Sequence, residues 1–191
     1  MELILASTSP YRRQLVERLG LEFCCAAPGL DEDAWKATVA DPRQLAEQLA
    51  EAKARCVFER KPAAAVIGSD QLVAWQGRTL GKPGSRERAI DQLKCLAGTT
   101  HELVTAVCIL TPQRRWAHTD VARLRMRALR RDEIERYVDA DQPWDCAGAY
   151  KLESRGIVLF ESIESVDQTA ITGLPLMALT SILREIGFAI P

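Results

Sequence analysis

Residues 3–20 read LILASTSPYRRQLVERLG. An apolar run of the strand type, residues 2–6, gives way within four residues to a helical pattern over residues 10–19, with Leu15, Val16 and Leu19 on one face. Ser9 stands where an N-cap belongs, and Pro10 where the first helical residue belongs. A helix that opens directly after a strand points its unpaired N–H groups and the positive end of its dipole at whatever lies beyond the sheet, an arrangement suited to an anion. Arg12 and Arg13 fall in that first turn, where positive charge is unfavourable against the dipole, so a negatively charged partner is suggested. Ser7 and Ser9 add hydroxyl donors, and the arginine fork suits bidentate contact with phosphate. Taken alone, Ser-x-Ser-Pro is common helix-start chemistry, and a capped helix with two solvated arginines accounts for it at least as well.

Working outward, the strand-then-helix alternation recurs. Residues 21–26 resemble a second strand, and the stretch PGLDEDAWKATVADP, residues 28–42, reads as loop. A helix follows from Pro42 to about Arg60, with Leu45, Leu49, Ala52 and Cys56 at i, i+4, i+7 and i+11. Residues 64–67 form a buried strand ending in Gly68-Ser69-Asp70, with residues 72–75 extended up to a turn at Gln76-Gly77. Ser85 caps a helix to about Ala97, closed by Gly98. Residues 101–129 are β-rich around a turn at 112–115. A helix at 131–140, a turn-rich segment CAGAYKLESRG, a strand IVLFESI and a helix over 176–186 complete the chain. The class is α/β with a mixed sheet.

At 191 residues the chain can bury a core as one compact unit, and its net charge of -1 gives no bulk attraction to nucleic acid or anionic membrane. Any anion site must be local. MELILAST lacks a basic n-region and no run approaches the roughly 18–20 apolar residues of a membrane span, so a cytoplasmic location and no membrane partner are expected. Cys24, Cys25, Cys56, Cys95, Cys108 and Cys146 show no C-x-x-C spacing and read as reduced thiols acting as small core hydrophobes. With only His101 and His118, a histidine-rich metal site is excluded; a metal, if used, needs oxygen ligands of the magnesium or manganese kind.

Three residues support a phosphate site. Asp70 follows a buried strand at the end where α/β sheets place ligands, though an aspartate capping a turn would read the same. Lys82 sits in Gly81-Lys82-Pro83, a bracketed turn able to aim an ammonium inward, although a lone lysine there is usually solvated. Lys53 lies about 80° around its helix from Leu45, on the border of the apolar face, where it would reach a cleft or simply snorkel to water. The chain carries nineteen arginines and only six lysines, so lysine at a few sites hints at a need for a compact charge.

Taken together, LILASTSPYRRQLV, LDE at 30–32, AEAKA around Lys53, VIGSDQ ending at Gln71, GKP at 81–83, CAGAYKLESRG and TGLPL at 172–176 resemble, in order and over almost the whole chain, the Maf family of nucleotide pyrophosphatases. The resemblance implies a single Maf/ITPase-like α/β domain over residues 1–191, an elongated mixed sheet flanked by helices with a central cleft. It implies metal-assisted hydrolysis of a nucleoside triphosphate between the α and β phosphates. In that reading Asp70 is the proton acceptor, and Glu32 and Asp70 hold a divalent cation (Mg, Mn or Co). Arg12, Arg13, Lys53 and Lys82 hold the triphosphate with Ser7 and Ser9. A homodimer is compatible with the family, and no stable nucleic-acid partner is expected.

Three positions that vary within the family, Tyr11, Gln71 and Glu153, resemble its 7-methyl-GTP branch rather than its dTTP and UTP branch. A methylated guanine carries a delocalised positive charge that favours stacking on Tyr11, and its N1–H and amine would donate to Glu153. Plain packing by Tyr11 and a surface ion pair of Glu153 with Lys151 or Arg155 are the bland alternatives. A pyrimidine or non-standard nucleotide pyrophosphatase is the competing enzyme, and a non-catalytic cell-division regulator or nucleic-acid-binding module the competing class. For the latter, the run RLRMRALRR reads better as a strand with one wet face, Arg123, Arg125 and Arg127 alternating with Leu124, Met126 and Ala128.

Overall fold

The structure is a computed structural model that describes residues 1–190, without the side chains of Asp33 and Ala37. In chain order the elements are β1 (Leu3–Leu5), α1 (Pro10–Glu17), β2 (Cys24–Cys25), α2 (Glu32–Thr38), α3 (Pro42–Phe58), β3 (Ala65–Trp75), β4 (Arg78–Leu80) and α4 (Arg86–Leu96). They continue as β5 (Thr100–Leu110), β6 (Arg115–Met126), α5 (Arg131–Asp141), two short 3-10 turns (Ala147–Ala149 and Arg155–Leu159), β7 (Phe160–Glu164), α6 (Gln168–Ile171) and α7 (Leu176–Ile186). The strands order as β2-β1-β3-β5-β6-β7, with β4 paired to β3. Pairing is parallel for β1 with β2 and β3, and antiparallel for β3 with β4 and β6 with β7, so the sheet is mixed as expected.

Two compact units share these strands. The first comprises residues 1–71, 105–120 and 167–190, and the second residues 72–104 and 121–166. In the first unit, alternate residues of the strands serve opposite faces. Leu3, Leu5, Ala65, Ile67, Val107 and Ile109 pack against Leu15 and Val16 of α1 and Leu176, Leu179 and Leu183 of α7. The other face of β3 receives α3 closely: a Cβ on Gly68 would collide with the Ala50 carbonyl and lie 2.6 Å from the Ala54 amide. Gly68, Ala50 and Ala54 therefore let helix backbone touch strand. In the second unit β6 shows the wet-faced alternation, with Arg123 and Arg125 exposed and Leu124 and Met126 buried, but it ends at Met126, before Arg127.

Several boundaries depart from the sequence reading. The segment taken as loop contains α2, a seven-residue helix too short to show an amphipathic period, which opens on Glu32, an acid that suits its dipole, and packs on α3. The second strand shrinks to Cys24–Cys25, on the sheet's edge. Gly68 does not end its strand, because its missing side chain serves the helix contact rather than a turn. The strand expected over 157–163 begins only at Phe160, after a 3-10 turn. All six cysteines are free, but only Cys108 is buried; Cys24, Cys25 and Cys95 are exposed, so core packing explains one of them. No helix among the described residues is long and apolar enough to cross a membrane.

Candidate active site

The site grows from the close α3–β3 contact. Gly68 and Asp70 share one face of β3, and Lys53 lies between Ala50 and Ala54 on the helix turn that Gly68 admits. Lys53 Nζ consequently donates to Asp70 Oδ1 at 2.6 Å, and lies 2.7 Å from Glu32 Oε1 at the start of α2. Lys53 and Asp70 are 5% and 4% exposed, so this lysine is a buried partner rather than a snorkelling one. Asp70 stands in mid-strand, not at a carboxyl end as the sequence suggested, because β3 runs through to Trp75. Burial raises its proton affinity, against the pull of Lys53 and Arg12 and with the repulsion of Glu32. A carboxylate poised this way accepts a proton more readily than a solvated one.

Arg12 approaches from α1. Its Nε donates to the Gly173 carbonyl at 3.0 Å, and desolvation pulls its pKa below the ordinary value against the attraction of Asp70 and Glu32. The same carbonyl accepts from Ser69 Oγ at 2.9 Å. Gly173 has a φ of 113°, a left-handed backbone that favours glycine, while a Cβ there would make only ordinary contact with Arg12 Nε, at 3.4 Å. The opening turn is capped as expected: Ser9 Oγ accepts from the Arg12 amide at 3.4 Å, and Ser7 Oγ from the Ser9 amide at 3.1 Å. Among the described residues both hydroxyls act here as acceptors.

Not every expected residue joins this cluster. Arg13, one position further around the helix, is exposed and pairs with Glu17 at 2.9 Å. Tyr11 is half-buried. Lys82, in the β4–α4 loop, and Glu153, between the two 3-10 turns, are exposed residues of the second unit. Glu153 forms no ion pair among the described residues; Lys151 pairs instead with Asp145. Gln71 is tightly held: its Nε2 lies 3.0 Å from Thr105 Oγ1, 2.8 Å from Ala170 O and 3.0 Å from Ile171 O. All three are acceptors, which fixes the amide orientation and leaves Oε1 as the free acceptor. Thr105, Ala170 and Ile171 were not singled out from sequence; the TGLPL motif, residues 172–176, reached only Gly173.

Asp70 Oδ2 is buried and has no hydrogen-bond partner among the described residues. An orphaned carboxylate oxygen close to a second carboxylate fits a hard divalent cation, so Glu32 and Asp70 suit the cofactor that the resemblance implies. Among the described residues no group of three or more His, Cys, Asp and Glu comes together to hold a metal ion.

An α/β protein with a buried acid, a buried lysine and an anchored arginine beside a capped helix start is equipped for hydrolysis at phosphate. The chain belongs to the Maf family: the Maf-like protein profile matches residues 2–186. It is 48% identical over 184 residues to a Bdellovibrio bacteriovorus protein named 7-methyl-GTP pyrophosphatase, covering 96% of both chains. It is 49% identical over 189 residues to a protein of the same name from Xanthomonas oryzae pv. oryzae, covering 99% of this chain and 98% of that one. Among solved structures, a HAM1 protein from Coxiella burnetii superposes with a TM-score of 0.51 over 97% of this chain and 99% of that one; at 14% identity this speaks to fold alone.

Proposed function

We propose that this chain hydrolyses 7-methyl-GTP to 7-methyl-GMP and pyrophosphate, by attack of water on the α-phosphorus. The observation that carries the chemistry is the buried Lys53–Asp70 contact with an unpartnered Asp70 Oδ2. Asp70 takes the proton of the attacking water, a task that its raised proton affinity favours. Lys53 orients the Asp70 carboxylate through Oδ1 and leaves Oδ2 for water or cation. Arg12, held through Nε, keeps its terminal NH2 groups for phosphate oxygens, and the Ser7 and Ser9 hydroxyls donate beside it. Lys82 and Arg13 supply further positive charge to the triphosphate. A divalent cation held by Glu32 and Asp70 would supply neutralisation of phosphate charge.

Base choice rests on Tyr11, Gln71 and Glu153, and on the names of the relatives. Gln71 offers a fixed acceptor, Oε1, and Glu153 a carboxylate, to the N1–H and amine of guanine; uracil and thymine present one ring N–H between two carbonyls. Tyr11 supplies the ring on which a cationic methylguanine stacks. Pyrophosphate release from 7-methyl-GTP, GTP, dTTP, UTP and CTP, with magnesium or manganese, tests this assignment. Preference for 7-methyl-GTP, weakened selectively in Glu153→Gln, is the expected result; preference for a pyrimidine would make the chain the house-cleaning enzyme of the competing reading.

A further inference from the structure

Residues 167–177 are tied end to end by two side chains. Asp167 Oδ1 accepts from the Thr169 amide at 2.9 Å and its hydroxyl at 2.6 Å, while Oδ2 accepts from the Met177 amide at 2.8 Å. Thr169 Oγ1 accepts in turn from the Leu176 amide at 2.8 Å. Asp167 is 3% exposed, so one buried carboxylate joins the start of α6 to the first turn of α7. A charged acceptor serving at least these three donors makes stronger bonds than a neutral one.

The backbone inside this clasp faces the site. Ala170 O and Ile171 O accept from Gln71 Nε2, Ala170 O accepts also from Thr105 Oγ1, and Gly173 O accepts from Arg12 Nε and Ser69 Oγ. Four side chains are thus oriented by three carbonyls of one short segment. For Gln71 the consequence concerns identity as well as position. A glutamine amide turned by half a revolution presents NH2 where it had presented oxygen, and only its acceptors decide which. For Arg12, a single bond at Nε sets the plane of the guanidinium, and so the direction of both terminal NH2 groups.

We propose that Asp167 and Thr169 are positioning residues, whose clasp holds the 170–173 carbonyls so that Gln71 presents its oxygen to the base and Arg12 its fork to the triphosphate. The inference rests on the pyrophosphatase reading of Gln71 and Arg12 for its catalytic consequence. Its structural half stands on the hydrogen bonds alone. Loss of the Thr169 hydroxyl frees the Leu176 amide and removes one bond to Asp167, loosening the segment while leaving every residue that would touch nucleotide unchanged.

The test compares Thr169→Val, Asp167→Asn and Thr169→Ser with the wild-type chain by two readouts. The first is NMR exchange of the Gln71 side-chain NH2 protons in nucleotide-free protein, assigned by their loss in Gln71→Met. The second is the ratio of kcat/KM for 7-methyl-GTP to that for UTP. Thr169→Val and Asp167→Asn should speed Gln71 exchange and lower the ratio about tenfold, the scale of one or two lost hydrogen bonds, while Thr169→Ser stays within about twofold of wild type. Unchanged Gln71 exchange in both Thr169→Val and Asp167→Asn would overturn the proposal, even if melting temperature or overall turnover falls. Absence of turnover by the wild-type chain would remove the pyrophosphatase reading, and the exchange rates would still decide whether the clasp positions Gln71.

Discussion

Lys53 Nζ lies 2.6 Å from Asp70 Oδ1, seventeen residues along the chain, because Gly68 lets α3 settle directly on β3. A buried lysine bonded to a buried carboxylate is costly to disrupt from either side, since removing one partner leaves the other charge without compensation. The contact therefore ties the chemistry to helix–strand packing.

Replacing Lys53 with Met keeps length and burial but leaves Asp70 Oδ1 without its donor. We expect kcat to fall by roughly 100-fold or more, in the range of a lost positioning and electrostatic group. Steady-state kinetics of Lys53→Met with 7-methyl-GTP checks this, and Asp70→Asn should be at least as impaired.

Gly68→Ala places a methyl group into the α3 backbone. Overpacking of this kind costs about 1–3 kcal/mol. Urea unfolding should show that loss, and turnover should fall with it because the displaced helix carries Lys53. An alanine tolerated without loss of stability would mean that α3 sits further from β3 than described.

Gly173→Ala tests the arginine anchor. The backbone φ of 113° strains any L residue, and the new methyl group would meet Arg12 Nε at 3.4 Å. KM for the triphosphate should rise several-fold, with Gly173→Ala giving no additional loss when it is added to Arg12→Ala, as expected of a residue that acts through Arg12.

His101 provides a pH signature independent of the active site. It is 2% exposed, its Nε2 lies 3.0 Å from Tyr150 Oη, and burial pulls its pKa from 6.5 to about 4. The unfolded chain thus binds a proton that the folded chain refuses. Stability supported by neutral His101 is complete above pH 6.5 and is lost as pH falls toward 4. Urea titrations at pH 7.5 and pH 5 should show wild type losing about 2 kcal/mol more than His101→Gln.

The alternation of strand and helix, the helix over 176–186 and the caps at Ser9 and Ser85 were legible because each depends on neighbours in sequence. The Lys53–Asp70 contact was legible only as two separate candidates. Lys53's angular position left it between cleft and solvent, and the packing that buries it depends on Gly68, which locally reads as a strand ending. Gln71 was marked by resemblance, yet the acceptors that orient it lie at Thr105, Ala170 and Ile171, two of them backbone atoms that leave no trace in side-chain chemistry. For α2, seven residues are too few to display a period, so Glu32 was expected on a loop and stands at a helix start.

Hydrolysis of 7-methyl-GTP in water enriched with oxygen-18, with mass spectrometry of both products, tests the central claim most directly. Attack at the α-phosphorus with Asp70 as proton acceptor predicts one labelled oxygen in 7-methyl-GMP, unlabelled pyrophosphate, and neither product with Asp70→Asn. Label in pyrophosphate, or release of inorganic phosphate and 7-methyl-GDP, would contradict it.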